Sequence, residues 1–318
     1  MLLESFKITG SAVGQIFILG AIGFYLIKKN ILGQEGLNAL SRLVIEIILP
    51  ILIFCQLVKD FSFTAYPNWW AFPLISIAIT ASGLLLGLLF IGLIKGRQQK
   101  LQFLNLVGFQ NSGFLPLALV AALLPGDKMQ TMFIYLFLFL LGFNLLMFSL
   151  GVYLLTFTRE KKFELASFWS PPVIATLFTL VFIFLGLDKF VPQMVFRPLN
   201  LIGQCLIPLS MFVVGGNLAQ IKLSHIDRKP MFLMALAKMV ILPALGFWLI
   251  LQLRLPELLG LLILIELAMP PATMLSVITS HYKREDLLVS QGILIGHLLG
   301  IITIPVFLSF YFAMNVVK

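Results

Sequence analysis

Long apolar stretches alternate with short polar loops along the whole chain. Apolar windows of about 20 residues, the length that crosses a bilayer as a helix, recur from one end to the other. The predicted spans cover residues 8–27, 37–58, 69–94, 101–124, 131–156, 170–187, 196–218, 230–253, 257–279 and 287–313. This pattern predicts an all-α integral membrane protein with ten transmembrane helices.

The composition excludes a water-soluble globule. Hydrophobic residues make up 60% of the chain, charged residues 11%, and the mean hydropathy is +1.06. A soluble domain carries about 25% charged residues. Since no segment is both long and polar, we expect one membrane unit without a separate soluble domain.

Lys and Arg residues are distributed unequally between the two sides of these spans. Loops that follow odd-numbered spans carry twice as many of them as the opposite side. The positive-inside rule therefore places these loops in the cytoplasm and both termini on the extracytoplasmic side. The same asymmetry accounts for the net charge of +9. Because the basic residues are scattered among loops without interleaved aromatic residues, nucleic acid is not an expected partner.

The two halves of the chain resemble each other. Span two reads "RLVIEIILPILIF" and span seven reads "NLIGQCLIPLSMF". Aligning Pro50 with Pro208 also pairs Glu46 with Gln204, one helical turn earlier in each span. The predicted organisation is a first five-helix repeat (1–157), a cytoplasmic linker (158–169) and a second five-helix repeat (170–318). With five spans per half, the second repeat enters the membrane in inverted orientation.

Spans four and nine each contain a polar, proline-containing interruption. They read "GFQNSGFLPLALV" (108–120) and "IELAMPPATMLSV" (265–277), and the alignment of the halves sets these interruptions opposite each other. Matched interruptions in inverted repeats are a signature of secondary transporters and mark the binding site. The sequence therefore predicts that helices four and nine are broken and cross.

The N-terminal ends of half-helices carry partial positive charge and free N–H groups, which together favour an anion. Pro271 is expected in the first turn of the second half-helix of span nine, where its missing N–H is harmless. The predicted substrate site comprises Asn111, Ser112, Gly113, Pro116, Gln204, Lys238, Pro270, Pro271 and Thr273.

Three charged residues lie well inside predicted spans, namely Glu46, Lys238 and Glu266. A charge at the centre of a bilayer helix costs roughly 2.5–3.5 kcal/mol on insertion scales, so each is a candidate functional residue. Glu266 or Glu46 can carry a proton or hold a cation during transport, and Lys238 can attract an anion or pair with a glutamate. Asn144 and His297 are expected to make hydrogen bonds between packed helices.

The motif "FQNSGFLPLALV", with "AMPPATMLSVITSHYKRE" in the second half, resembles the auxin efflux carrier family of membrane transporters. That family has an N-x-G motif with a nearby proline in span four. In span nine it has a proline–alanine pair followed by an aromatic and an acidic residue, here Tyr282 and Glu285 or Asp286.

The resemblance to this family extends over essentially the whole chain. It implies crossed broken helices in two inverted five-helix repeats, and transport of auxin-like acids or dicarboxylates. Many bacterial members resemble N-T-G-F-L-G-L-P, whereas this chain has Pro116 two positions earlier and Ala118 at their proline. The break in span four is therefore expected at a shifted position.

The expected function is secondary transport of a small organic anion by alternating access, across a bacterial inner membrane and among membrane lipids. No cofactor or metal is expected, and H⁺ and Na⁺ are the candidate coupling ions. An enzyme is disfavoured because no Asp lies within a predicted span and no HExxH motif occurs.

The open alternatives are a sodium- or proton-coupled carrier of the bile-acid or antiporter kind, and a channel or receptor. Surfaces rich in Leu and Phe are compatible with a homodimer.

Overall fold

The structure is a computed structural model that describes residues 2–156, 169–221, 227–281 and 287–315. The elements formed by these residues are helices. Seven continuous helical stretches, several of which are divided below into two helices, are long and apolar enough to cross a membrane. Nearly all of the predicted linker 158–169 lies outside the described residues, as do Tyr282, Glu285 and Asp286. The prediction of an all-α membrane protein is confirmed, whereas the number of ten spans and their arrangement in repeats stay predictions.

The first half begins with one long helix and contains a helix that is broken into two parts. Its helices are α1 (Leu2–Lys28), α2 (Gln34–Leu43), α3 (Leu49–Asp60), α4 (Ala71–Phe90), α5 (Arg97–Gly108), α6 (Phe114–Leu123), α7 (Gly126–Leu146) and α8 (Val152–Thr156). A π turn, Val44–Ile48, joins α2 to α3, and another, Met147–Gly151, joins α7 to α8. A 3-10 turn, Ile91–Leu93, extends α4.

The second half has a similar sequence of helices. These are α9 (Pro171–Phe184), α10 (Gln193–Gln204), α11 (Leu206–Ala219), α12 (Arg228–Leu236), α13 (Leu242–Leu253), α14 (Glu257–Ala268), α15 (Met274–His281) and α16 (Leu287–Asn315). A 3-10 turn, Leu187–Phe190, follows α9, and a π turn, Ala237–Ile241, joins α12 to α13. Within an α-helix, π turns occur frequently at functional sites.

Helix packing brings the two halves into one body. The first helix, α1, packs against α11 and α16, while α3 packs against α9 and α10. Helix α4 packs against α5, α7 and α14. The apolar core extends through these contacts, with Phe103, Phe109, Phe137 and Phe139 fully buried. Broken helices α5–α6 and α14–α15 thus lie within protein.

Contacts at one end of the molecule bring three helix termini together. Lys128, in the first turn of α7, forms a 2.7 Å ion pair with Glu257 at the start of α14. The Tyr311 hydroxyl, near the end of α16, donates to the main-chain oxygen of Glu257 at 2.6 Å. The starts of α7 and α14 and the end of α16 are all predicted on the extracytoplasmic side from the Lys/Arg distribution.

Candidate functional site

Two non-helical segments cross at the centre of the site. The first, residues 109–113, separates α5 from α6, and the second, residues 269–273, separates α14 from α15. Gln110 and Pro271 face each other as an antiparallel pair. On either side, Asn111 N donates to Pro270 O at 2.8 Å, and Ala272 N donates to Phe109 O at 3.0 Å. An open backbone is tolerated inside a membrane only where its polar groups are satisfied or line a cavity, and this pairing satisfies four of them.

The pairing of the two segments leaves the first turns of the following helices next to each other. Gly113 precedes α6 and offers no side chain to cap its first turn, and Thr273 precedes α15. Pro116, at the third position of α6, has no N–H and adds no donor. The N-terminal ends of α6 and α15 therefore present partial positive charge to the same region.

A cavity of about 100 Å³ lies at these two helix starts. Its polar lining comes from both crossing segments and from neighbouring helices: Gln110, Asn111, Ser112, Thr273, Asn144 and Ser170. The rest of the lining is mainly apolar. It comes from α3, α7 and the π turns next to them: Ile45, Leu49, Leu140, Phe143, Met147 and Phe148. An apolar cavity with a few convergent polar groups is the usual form of a small-molecule site.

A fully buried group of polar side chains lies beside the crossing. Gln110 Nε2 is 3.5 Å from Glu266 Oε2 and donates a hydrogen bond to it. Ser112 and Lys238 are buried as well, and neither forms a hydrogen bond with the Glu266 carboxyl group. Lys238, in the π turn Ala237–Ile241, and Glu266, in the last turn of α14, are both 0% exposed.

Several atoms of this group have no hydrogen-bond partner among the described residues. They are Gln110 Oε1, Ser112 Oγ, Lys238 Nζ and Glu266 Oε1. A buried polar atom left without a partner costs roughly 1–3 kcal/mol, and more if it is charged. These atoms therefore mark a place where water or an ion is expected to bind.

Asn111 links the crossing to α16. Its Nδ2 lies 3.5 Å from His297 Nε2, and His297 Nδ1 lies 2.8 Å from Ile293 O. An imidazole protonated at Nδ1 satisfies both contacts, with Nε2 as the acceptor. His297 also lines a second cavity of about 210 Å³ among α1, α6, α11 and α16, whose other lining residues are apolar.

Some of the predicted substrate residues lie together. Asn111, Ser112, Gly113 and Thr273 line the cavity, and Pro270 and Pro271 form the crossing. Pro271 was expected in the first turn of a half-helix, which is wrong, because α15 begins only at Met274. The residue is held instead in the extended pairing with Gln110.

Four other predicted residues are placed elsewhere. Pro116 is buried within α6, and Gln204 is exposed at the end of α10; neither lines the cavity. Lys238 is buried in the π turn Ala237–Ile241 and does not line the cavity. The expectation that Glu46 is buried is wrong: its side chain is 47% exposed and forms a 3.2 Å ion pair with Arg42.

Sequence reasoning left three residues out of the predicted site. Gln110 was omitted although it adjoins Asn111, and its amide in an apolar span was the available signal. Asn144 and His297 were assigned to helix packing. The structure places Asn144 in the cavity lining and His297 against Asn111. No spacing rule in the sequence connects these distant residues to the crossing.

Comparisons with known proteins agree with this architecture. The family described as "Membrane transport protein" matches residues 10–167 and 156–308. An uncharacterized transporter of Methanocaldococcus jannaschii is 26% identical over 288 residues, which cover 88% of this chain and 91% of that protein. Protein PIN-LIKES 6 of Arabidopsis thaliana is 30% identical over 124 residues, which cover 38% of this chain but only 29% of the plant protein.

The helical membrane architecture and the family match together define a membrane transporter. The chain belongs to the membrane transport protein family, the auxin efflux carrier family, so the resemblance drawn from the two broken-helix motifs is confirmed. Membership of a family of transporters makes an enzyme the disfavoured class, in line with the sequence-based prediction.

Proposed function

We propose that this protein is a secondary transporter that binds a small organic anion at the crossing and moves it across the membrane by alternating access. The substrate class is a carboxylate, such as an auxin-like acid or a dicarboxylate. The membrane transport family and the uncharacterized archaeal transporter support transport as the activity. The chemistry of the crossing supports an anion as the substrate.

One observation carries the proposal: the cavity of about 100 Å³ lies at the N-terminal ends of both α6 and α15. Each such end is equivalent to roughly +0.5 elementary charge. Asn111 and Thr273 add directional hydrogen-bonding groups without the desolvation cost of a full charge. A carboxylate placed there is stabilised by both dipoles, whereas a cation is repelled by them.

The size of the cavity favours a compact substrate. Pockets for drug-sized molecules occupy roughly 300–1,000 Å³, several times the 100 Å³ found here. A small acid fits this space, and a larger auxin-like acid requires the cavity to widen. The apolar lining from Phe143, Met147 and Phe148 accommodates the hydrocarbon part of either.

We further propose ten spans in two inverted five-helix repeats. Seven helical stretches are long enough to span by themselves, and several of them join two labelled helices, such as α2 with α3 and α10 with α11. Counting α5–α6 and α14–α15 as one broken span each, and adding the shorter apolar helix α9, gives the predicted number. The two breaks pair with each other, and each lies in the fourth span of its half. This correspondence supports the pseudo-symmetry between the halves.

Glu266 is the preferred coupling group in this scheme. It is buried next to the crossing and contacts Gln110, which is itself paired with Pro271. Glu46 is the weaker candidate, because its carboxylate is half exposed and already paired with Arg42. Coupling through either carboxyl stays a prediction.

The alternatives to an anion carrier lead to different measurements. A sodium- or proton-coupled carrier of the bile-acid or antiporter kind requires its ion gradient for uptake. A channel passes solute without saturation, and a receptor binds it without moving it. The interrupted, paired helices with a small cavity at the crossing favour a carrier over both of these classes.

Uptake of radiolabelled organic acids into proteoliposomes tests the proposal. We expect saturable uptake driven by the solute gradient. Asn111→Leu keeps the bulk of the side chain but removes its hydrogen bonds, which costs roughly 1–3 kcal/mol of binding, or about a 5- to 150-fold loss of affinity.

The control variant is Asn217→Leu, on α11 and outside the cavity lining. Asn144→Leu is not a suitable control, because Asn144 lines the same cavity. Equal affinities for Asn111→Leu and Asn217→Leu would place the substrate site away from the crossing.

A further inference from the structure

Asn111 is held at one end of its amide by a hydrogen bond to α16. Its Nδ2 lies 3.5 Å from His297 Nε2, and His297 Nδ1 lies 2.8 Å from Ile293 O. A main-chain oxygen only accepts, so Nδ1 carries the ring proton and donates it to Ile293 O. Nε2 faces the amide nitrogen of Asn111, which only donates, and Nε2 is therefore the acceptor. The neutral imidazole thus fixes which end of the Asn111 amide is turned toward α16.

The other end of the Asn111 amide, its oxygen, is open to the cavity at the crossing. Asn111 lines the cavity of about 100 Å³, whereas His297 lines the second cavity, of about 210 Å³. Asn111 Oδ1 accepts no hydrogen bond from a described residue, and it is not enclosed by protein, as the oxygens without partners beside Glu266 are. Asn111 therefore presents a hydrogen-bond acceptor to a ligand in the smaller cavity.

Two other amides near the crossing differ from Asn111. Gln110 donates from Nε2 to Glu266 Oε2 at 3.5 Å, and its own Oε1 is enclosed by protein. Asn144 lines the cavity, but its side-chain amide makes no hydrogen bond with a described residue. Its amide is therefore free to rotate and adapts to a donor or an acceptor. Asn111 combines a fixed orientation with access to the cavity.

An ionised carboxylate accepts hydrogen bonds and donates none. It is matched by the free N–H groups in the first turns of α6 and α15, and not by Asn111 Oδ1. We propose that the substrate carries a hydrogen-bond donor in addition to its carboxylate, namely a hydroxyl, N–H or protonated second carboxyl group, and that Asn111 Oδ1 accepts from this donor. His297 is the positioning residue that keeps the acceptor in the cavity. This inference rests on the proposed function and narrows its substrate class.

An acid without such a donor leaves Asn111 Oδ1 unpaired when it displaces water from the cavity. His297 opposes rotation of the amide to offer its N–H instead, because Nε2 would then face Asn111 Oδ1 and two acceptors repel each other. A site built to hydrogen-bond a substrate group discriminates strongly against analogues that lack this group. The arrangement therefore selects between acids of the same charge and nearly the same size.

Equilibrium binding of matched acids to the purified, detergent-solubilised wild-type protein at pH 7 tests this selection. Propionate has no donor, whereas lactate and 3-hydroxypropionate each add one hydroxyl group. In 2-fluoropropionate and 3-fluoropropionate a fluorine replaces that hydroxyl; it is similar in size and cannot donate. We expect the better of the two hydroxy acids to bind about 5- to 150-fold more tightly than propionate and than its own fluoro analogue, which is the effect of one unpaired buried polar group.

Two variants separate the positioning residue from the acceptor. His297→Leu removes the group that fixes the amide, so the preference for the hydroxy acid should disappear. Its affinity for propionate should be kept or should rise, because the released Asn111 amide can donate to the carboxylate. Asn111→Leu should also lose the preference, but through weaker binding of the hydroxy acid. Leu294→Ala removes bulk from the same apolar cavity that His297 lines and, as the matched control, should keep the wild-type preference.

Equal affinities of the wild type for hydroxy and fluoro acids would overturn the inference and leave an organic anion as the substrate, and this measurement needs no variant. A His297→Leu protein that melts like Leu294→Ala and retains the full preference would overturn the positioning role. Absence of saturable binding by all five acids would count against a small organic anion at the crossing, and the inference would fall together with the proposed function.

Discussion

Pro271 shows how a single residue defines the geometry of the crossing. It has no N–H group, and its ring holds the preceding residue, Pro270, in an extended conformation. The extended backbone brings Pro270 O to Asn111 N at 2.8 Å. The residue therefore shapes the site through its backbone rather than by contact with the substrate.

Pro271→Ala tests this role at the residue scale. Alanine adds a buried N–H donor at the crossing and lets the segment after α14 approach a helical conformation. We expect the transport rate to fall more than the affinity for the organic anion, because the groups that line the cavity are retained. Turnover in proteoliposomes and equilibrium binding on the same preparation separate these effects, and an equal loss in both would contradict the role in conformational change.

Helix α16 makes room for the crossing at one glycine. A Cβ atom built on Gly296 would lie 2.5 Å from Pro271 Cδ and 3.4 Å from Pro270 Cβ. Real Cβ atoms do not approach other atoms this closely, so α16 or the crossing has to shift when a methyl group is added. This contact couples the position of an entire helix to the broken segments.

At the element scale we predict that Gly296→Ala destabilises the protein by about 1–3 kcal/mol through overpacking and strongly reduces uptake. Gly300→Ala, one turn further along the same helix, is the matched control. A Cβ there would meet only the flexible ends of side chains, Ile304 Cδ1 at 3.3 Å and Met239 Cε at 3.8 Å. Thermal unfolding and uptake of the two variants are compared, and similar behaviour would show that the α16–Pro271 contact is unimportant.

For the whole molecule, the prediction concerns the orientation of the two halves. An odd number of spans per half places the central loop and the C-terminus on opposite faces. Cysteines introduced at Lys161 and Lys318 should therefore react with an impermeant thiol reagent from opposite sides of the membrane. The background must first lose Cys205, which is exposed, whereas Cys55 is buried.

Labelling of both cysteines from one side would refute the inverted repeat and the orientation together. The face that carries Lys128, Glu257 and Tyr311 gives an internal check. All three lie at helix ends that the Lys/Arg asymmetry places outside. A cysteine at Lys128 should then label from the same side as one at Lys318.

Much of the fold was predictable because hydropathy and proline position act locally. Apolar windows gave the positions of the long helices to within a few residues, as for the predicted span 37–58 and the observed helix Gln34–Asp60. The breaks at 109–113 and 269–273 also follow from local composition, since amides, glycine and proline destabilise a helix wherever it lies. The family resemblance came from the same short motifs.

Only the tertiary structure decided which face of each helix turns inward. In a bilayer both lipid-facing and protein-facing positions are apolar. Hydropathy therefore shows which residues lie within the membrane, but not which face of a helix contacts the other helices. Glu46 and Glu266 were therefore both candidate coupling groups in the sequence, with Glu266 favoured only for its position next to the break. In the structure Glu46 lies at the surface with Arg42, whereas Glu266 is fully buried against Gln110. The pairing of Gln110 with Pro271 likewise depends on helix packing, because contacts between residues so far apart in the chain leave no trace in either local pattern.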